Sequence, residues 1–74
     1  MAYNDRAAET YERYEALRNQ AKMTDSDMAR TAGVSRSTFT AWKAGKYTPK
    51  IDKTMAISAV LGVDVRLILE GGTR

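Results

Sequence analysis

Arg36, Ser37, Thr40 and Ala41 are the residues whose types and spacing could do directional chemistry in this chain. At roughly 100° per residue of helix, positions 37, 40, 41 and 44 fall on one side, with Arg36 at the open N-terminal end. That side is small and polar. A guanidinium can donate two parallel N–H bonds to the O6 and N7 of a guanine, a hydroxyl can donate or accept at a base edge, and an alanine methyl can meet the methyl of a thymine. The plainer reading is a solvated helix face. Most such faces are covered by long charged side chains, however, so the bareness fits a surface that something else must approach closely.

A second group follows at once in the chain. Lys43, Lys46, Tyr47, Thr48 and Lys50, with Ser35 just upstream, supply cations and hydroxyls suited to the sugar-phosphate backbone; Lys53 is a further cation of the same stretch. A lysine-rich loop can also be merely solvated. The charge distribution argues for the first reading. The net charge is +3, yet residues 1–35 carry five cations against six carboxylates and residues 54–74 balance, whereas residues 36–53 set five cations against Asp52 alone. All the excess positive charge sits where phosphates would lie.

Other chemistries find little support. The chain has no cysteine and no histidine, which removes disulfides and the common zinc arrangements, and neither a metal nor a cofactor is expected. A catalyst would need carboxylates, lysine or tyrosine. No paired acids, glycine-rich phosphate loop or nucleophile-and-base arrangement emerges, so no enzyme is expected. The N-terminal MAYNDRAAET is charged from Asp5 onward without an apolar run of signal-peptide length, and apolar runs such as Ala59 to Leu61 are far too short for a bilayer. These features predict a soluble, cytoplasmic protein that makes no membrane contact.

Short helices must position the two groups. Thr24 can cap a helix with its hydroxyl while Asp27, three residues on, reaches back and adds negative charge at the positive helix end. Met28, Ala29 and Ala32 then share one face, and Gly33 stands where a left-handed residue would end the helix, predicting 25–32. Ala29 lies where two axes must approach closely, so its smallness has a purpose. Val34 fills the turn, Ser35 offers the next cap, and a helix over 36–44 puts Phe39 and Trp42 about 60° apart on its inward side, ahead of Gly45. Both aromatics are expected in the core, where they place the outward face without touching a ligand.

The remaining periodicities predict a helix over 5–22, with Ala7, Tyr11, Tyr14, Leu17 and Ala21 on one stripe. Its early turns carry Asp5, Glu9 and Glu12, an end that should point away from any nucleic acid. Thr48 and Pro49 read as a cap and first-turn proline opening a helix over 49–61, traced by Ile51, Thr54, Ile57, Ser58 and Leu61 and ended by Gly62. Asp64 can cap a last helix over 64–70, with Val65, Ile68 and Leu69 inward, Leu67 left near the outside and Gly71 as terminator. The whole is an all-α, compact five-helix bundle: one domain over 1–71 and a flexible tail over 72–74. A chain this short buries only about 60% of its unfolded surface, so helix packing alone must hold it.

The stretch MTDSDMARTAGVSRSTFTAWKAGK resembles the helix-turn-helix of the phage repressor and Cro family, the xenobiotic-response-element-like proteins, whose pattern runs T-Q-x-x-L-A-x-x-x-G-V-S-x-x-x-I/V-x-x-W-E-x-G. Thr24, Ala29, Gly33, Val34, Ser35, Trp42 and Gly45 match it. Arg13, Leu17 and Arg18 look like the end of the family's first helix, and Gly45 to Val63 like its loop and fourth helix, so roughly residues 13–71 are covered. The resemblance implies a lambda-repressor-like DNA-binding domain and a sequence-specific transcriptional regulator of phage or bacterial type, a repressor acting by operator occlusion. Its partners would be a double-stranded DNA operator and a second copy of the chain; because relatives often pair through the last helix, Leu67 is a candidate dimer contact. An isolated exposed leucine is also ordinary. A different reading keeps the fold as a protein-interaction module, such as an antitoxin gripping a toxin through the acidic first helix.

Three departures from the family pattern stand out. Asp25 replaces a glutamine that in relatives touches a phosphate, and a carboxylate there would be repulsive. Lys43 replaces a glutamate that pairs with a first-helix arginine, which leaves Lys43 and Arg18 both cationic at one junction unless Glu15 compensates or the side chains point apart. Phe39 replaces a branched aliphatic residue, with Met28 adapting in place of leucine.

Overall fold

The computed structural model describes residues 5–71. Within them five helices follow one another, α1 (Asp5–Gln20), α2 (Asp25–Ala32), α3 (Arg36–Lys43), α4 (Ile51–Leu61) and α5 (Arg66–Leu69), and no strand occurs. The all-α, five-helix class is the one expected; the proposed tail, residues 72–74, lies outside the described residues.

The capped ends form as their residues dictate. At the start of α2 the Thr24 hydroxyl accepts the Asp27 N–H at 3.1 Å, and the Asp27 carboxylate accepts the Thr24 N–H at 3.1 Å. At its end Gly33 takes φ 73°, and the N–H groups of Gly33 and Val34 both reach the Ala29 carbonyl at 3.0 Å. Ser35 accepts the Ser37 N–H at 3.2 Å and so begins α3. That helix closes when Gly45, at φ 78°, lets the Lys46 N–H return to the Ala41 carbonyl at 3.0 Å, one residue short of the expected end.

Three boundaries differ from expectation by more. α1 stops at Gln20 rather than Lys22, because Lys22 adopts φ 62° and the Met23 N–H folds back on the Arg18 carbonyl at 3.2 Å. A lysine thus occupies a left-handed position usually given to glycine, and Ala21 falls beyond the helix, exposed. α4 begins at Ile51, not at Pro49, with Lys50 as an N-cap that lends no side-chain bond. The reason lies in the preceding loop, where Pro49 is buried and the Thr48 hydroxyl sits 3.4 Å from that of Thr10. The Thr54 hydroxyl donates to the Pro49 and Lys50 carbonyls at 3.2 and 3.1 Å, while Ile51, one of the residues that trace the helix, stands exposed. In α5 the regular turn shrinks to Arg66–Leu69, although Asp64 still accepts the Arg66 N–H at 2.9 Å and Gly71, at φ 82°, follows the helix.

The core gathers Ala7, Tyr11 and Tyr14 of α1, Met28 and Ala29 of α2, Val34 of the turn, Phe39 and Trp42 of α3, Ile57 of α4 and Ile68 of α5. Four aromatic rings form its centre. Trp42 stacks on Tyr14 with centroids 4.8 Å apart and meets Tyr11 edge-on at 5.4 Å, while Phe39 lies 5.6 Å from Tyr14. Thr10, which the helical stripe left out, is fully buried because it accepts the Trp42 indole N–H at 2.9 Å. Arg13 fastens the last helix to the first: its Nε and Nη2 donate to the Ile68 and Leu69 carbonyls at 2.8 and 2.9 Å, covering two acceptors that a helix end leaves open.

Candidate nucleic-acid interface

Burial of Phe39 and Trp42 fixes the rotation of α3 and turns its other side outward. Arg36, Ser37 and Thr40 are exposed on α3 and Ala41 is half-buried, so all four residues singled out for base edges reach the surface. Their hydroxyls are not idle. Ser37 Oγ lies 2.8 Å from Ser35 Oγ, and Thr40 donates to the Arg36 carbonyl at 3.3 Å, which leaves each oxygen with acceptor capacity. Arg36 is the strongest directional donor of the face.

Part of the lysine loop lies beside α3 at Thr38. A surface depression is lined by Thr38 of α3, by Tyr47, Thr48, Pro49 and Lys50 of the loop, and by Lys53 of α4, which puts the two α4-end lysines beside the outer helix. Lys43, Lys46 and Lys50 are exposed and so is Tyr47, at 46%. Thr48 is half-buried and drawn toward Thr10, so its hydroxyl is the least available of the group, and that of Ser35 is occupied in capping α3.

Pairing separates these cations from others. Arg30 binds Asp27 at 2.9 Å, Arg66 binds Asp64 at 2.9 Å, and Arg18 binds Asp25. Among the described residues, no carboxylate lies within ion-pair distance of Arg36, Lys43, Lys46, Lys50 or Lys53. Five uncompensated positive charges on α3, the loop after it and the first turn of α4 would attract a polyanion from a distance and leave donors free when it arrives.

Asp25 turns out to be partnered rather than repelled. Its carboxylate receives the Tyr11 hydroxyl at 2.8 Å, the Tyr14 hydroxyl at 2.7 Å and Arg18 Nη1 at 2.6 Å, all from α1. Burial by itself would push this carboxyl up, but the bonds from Tyr14, Arg18 and Tyr11 outweigh it and hold the group below the usual carboxylate range. Burial and the same carboxylate push the Tyr11 phenol up to about 12 and the Tyr14 phenol higher still. The junction of Arg18 and Lys43 resolves in the same way: Arg18 is neutralised chiefly by Asp25, with Glu15 at 3.7 Å, and Lys43 is left exposed. The available signal was the placement of Tyr11, Tyr14 and Arg18 at three- and four-residue steps, which aligns two hydroxyls and a cation along α1.

Leu67 is half-buried and does not stand out among the apolar residues. The large hydrophobic side chains most exposed are Tyr47, Ile51 at 56% and Met55 at 54%, the latter two one turn apart on α4. No helix among the described residues is long and apolar enough to cross a membrane.

A sequence model of a family described as helix-turn-helix matches residues 15–68. An uncharacterized helix-turn-helix-type transcriptional regulator from Methanocaldococcus jannaschii is 38% identical over 52 residues, which cover 70% of this chain and 74% of that protein. No solved structure matches the chain.

Proposed function

The chain belongs to the helix-turn-helix family, and on that premise we propose that it is a sequence-selective, double-stranded DNA-binding regulator of transcription that represses by occluding its operator. α3 enters the major groove. Arg36 reads a guanine edge, Ser37 and Thr40 contact neighbouring bases and Ala41 meets a thymine methyl, while Lys46, Tyr47, Lys50 and, more weakly, Ser35, Lys43 and Thr48 hold phosphates. Two copies related by a twofold axis would place their α3 helices about 34 Å apart, one turn of the duplex. The observation that carries this reading is the set of five cations without a carboxylate partner, Arg36 and Lys43 on α3 and Lys46, Lys50 and Lys53 after it, next to the small exposed side chains of Ser37 and Thr40.

The second reading, a protein-interaction module on the same fold, draws on the exposed Tyr47, Ile51 and Met55. Selection from a random duplex pool separates the two. A palindromic consensus supports a dimeric operator reader, a single unrepeated site supports a monomeric one, and no enrichment contradicts DNA reading and favours the module.

A further inference from the structure

We propose that Asp25 is a positioning residue for DNA recognition: from the first turn of α2 it sets the pose of α3, although it needs no contact with DNA. The proposal rests on the reading of α3 as the helix that enters the groove. The Asp25 carboxylate takes three hydrogen bonds of 2.6 to 2.8 Å, all from α1, so the first residue of α2 is tied to the middle of that helix. Two of the donors are the hydroxyl ends of Tyr11 and Tyr14, and the rings of those tyrosines are the surface on which Trp42 lies, edge-on to one and stacked on the other. Phe39 rests on Tyr14 as well.

Trp42 and Phe39 are the buried residues of α3. Its seat on α1 is therefore made largely of two rings held at their far ends by one carboxylate of α2, and the indole N–H is pinned at the other side by Thr10. A single group thus couples all three helices of the motif region. Packed rings have discrete arrangements rather than a continuous range, so releasing the hydroxyl ends lets the seat, and with it Arg36, settle elsewhere. A carboxylate suits the task better than an amide. It accepts from both hydroxyls and also neutralises Arg18, whose side chain is only 13% exposed.

The sign of the effect makes the proposal testable. Replacing Asp25 by Asn removes a negative charge, which by electrostatics alone strengthens attraction to DNA. Positioning predicts the reverse. Asp25→Asn should bind the selected operator about three- to thirtyfold more weakly, with random-sequence affinity and salt slope little changed. Emission of Trp42, the sole tryptophan, should shift as Tyr14 leaves its stacked place. Tyr14→Phe keeps the charge and the ring while removing one hydroxyl, and should move both readouts in the same direction. Asp27→Asn, which removes an equal charge from the exposed side of the same helix end, should bind the operator at least as tightly as the parent. All variants are compared at a temperature where circular dichroism shows each fully helical; if Asp25→Asn is not folded, Tyr14→Phe decides. Folded variants that keep full operator affinity, or that leave Trp42 emission unmoved, overturn the positioning role. A parent chain that enriches no duplex overturns the reading of α3 instead, and the fluorescence comparison then still judges the link between Asp25 and Trp42.

Discussion

At the scale of single residues, the outward side of α3 divides its work between direction and charge. Arg36 is exposed and without a carboxylate partner, whereas the Ser37 and Thr40 hydroxyls already have contacts within the helix. Discrimination should therefore concentrate in Arg36. Arg36→Ala is expected to lose about 1–3 kcal/mol against the preferred base at one position per half-site and little against random DNA, as read from a binding profile over single-base operator variants. Lys46→Ala should behave differently. It should lower affinity for all sequences alike and flatten the dependence of log K on log salt by about 1, since a lost phosphate contact releases one counterion fewer. Equal salt slopes for parent and variant would place Lys46 off the backbone. The role of Asp25 was not legible in the chain because it depends on hydroxyls eleven and fourteen residues away meeting one carboxylate in space.

Helices end where backbone geometry allows, and that scale shows what the chain announces and what it conceals. The limits of α2 and the start of α3 were legible, since Thr24, Asp27, Gly33 and Ser35 each do locally what their chemistry favours. The end of α1 was not, because its left-handed residue is a lysine and no glycine marks the stop. The start of α4 misled for the opposite reason: Thr48 and Pro49 form a helix-opening signal, but burial of the proline and the pull of Thr10 postpone the helix to Ile51. Lys22 offers a test. A non-glycine residue in the left-handed region costs about 1–2 kcal/mol, part of which glycine gives back as greater freedom in the unfolded chain. Lys22→Gly should thus stabilise by roughly 0.5–1 kcal/mol, raising the thermal midpoint by a few degrees, whereas Lys22→Val should lower it.

Considered whole, the molecule packs four aromatic rings and one charged network into a chain of 74 residues, and that network sets its pH limits. Asp25 is held below its ordinary range in the fold, so its contribution is full above the unfolded carboxylate value near 4 and fades as pH falls through the folded one. Tyr11, raised to about 12, and Tyr14, raised further, contribute fully below about 10, and that contribution fades as pH climbs toward the folded values. The denaturant midpoint should stay nearly flat between these limits and fall on both sides, with the alkaline fall shallower in Tyr14→Phe. An unchanged alkaline limb in that variant would contradict the contribution assigned to Tyr14. The placement of the cations was visible in the chain as a local excess of charge; that they stand without carboxylate partners was visible only in three dimensions. The most direct trial of the DNA-facing surface is a titration of the isotopically labelled chain with duplex DNA, followed by amide chemical shifts. The account predicts perturbations centred on residues 36–53, strongest at Arg36, Ser37, Thr40 and the lysine loop. Shifts centred on the acidic early turns of α1, with those of α3 unmoved, would contradict it.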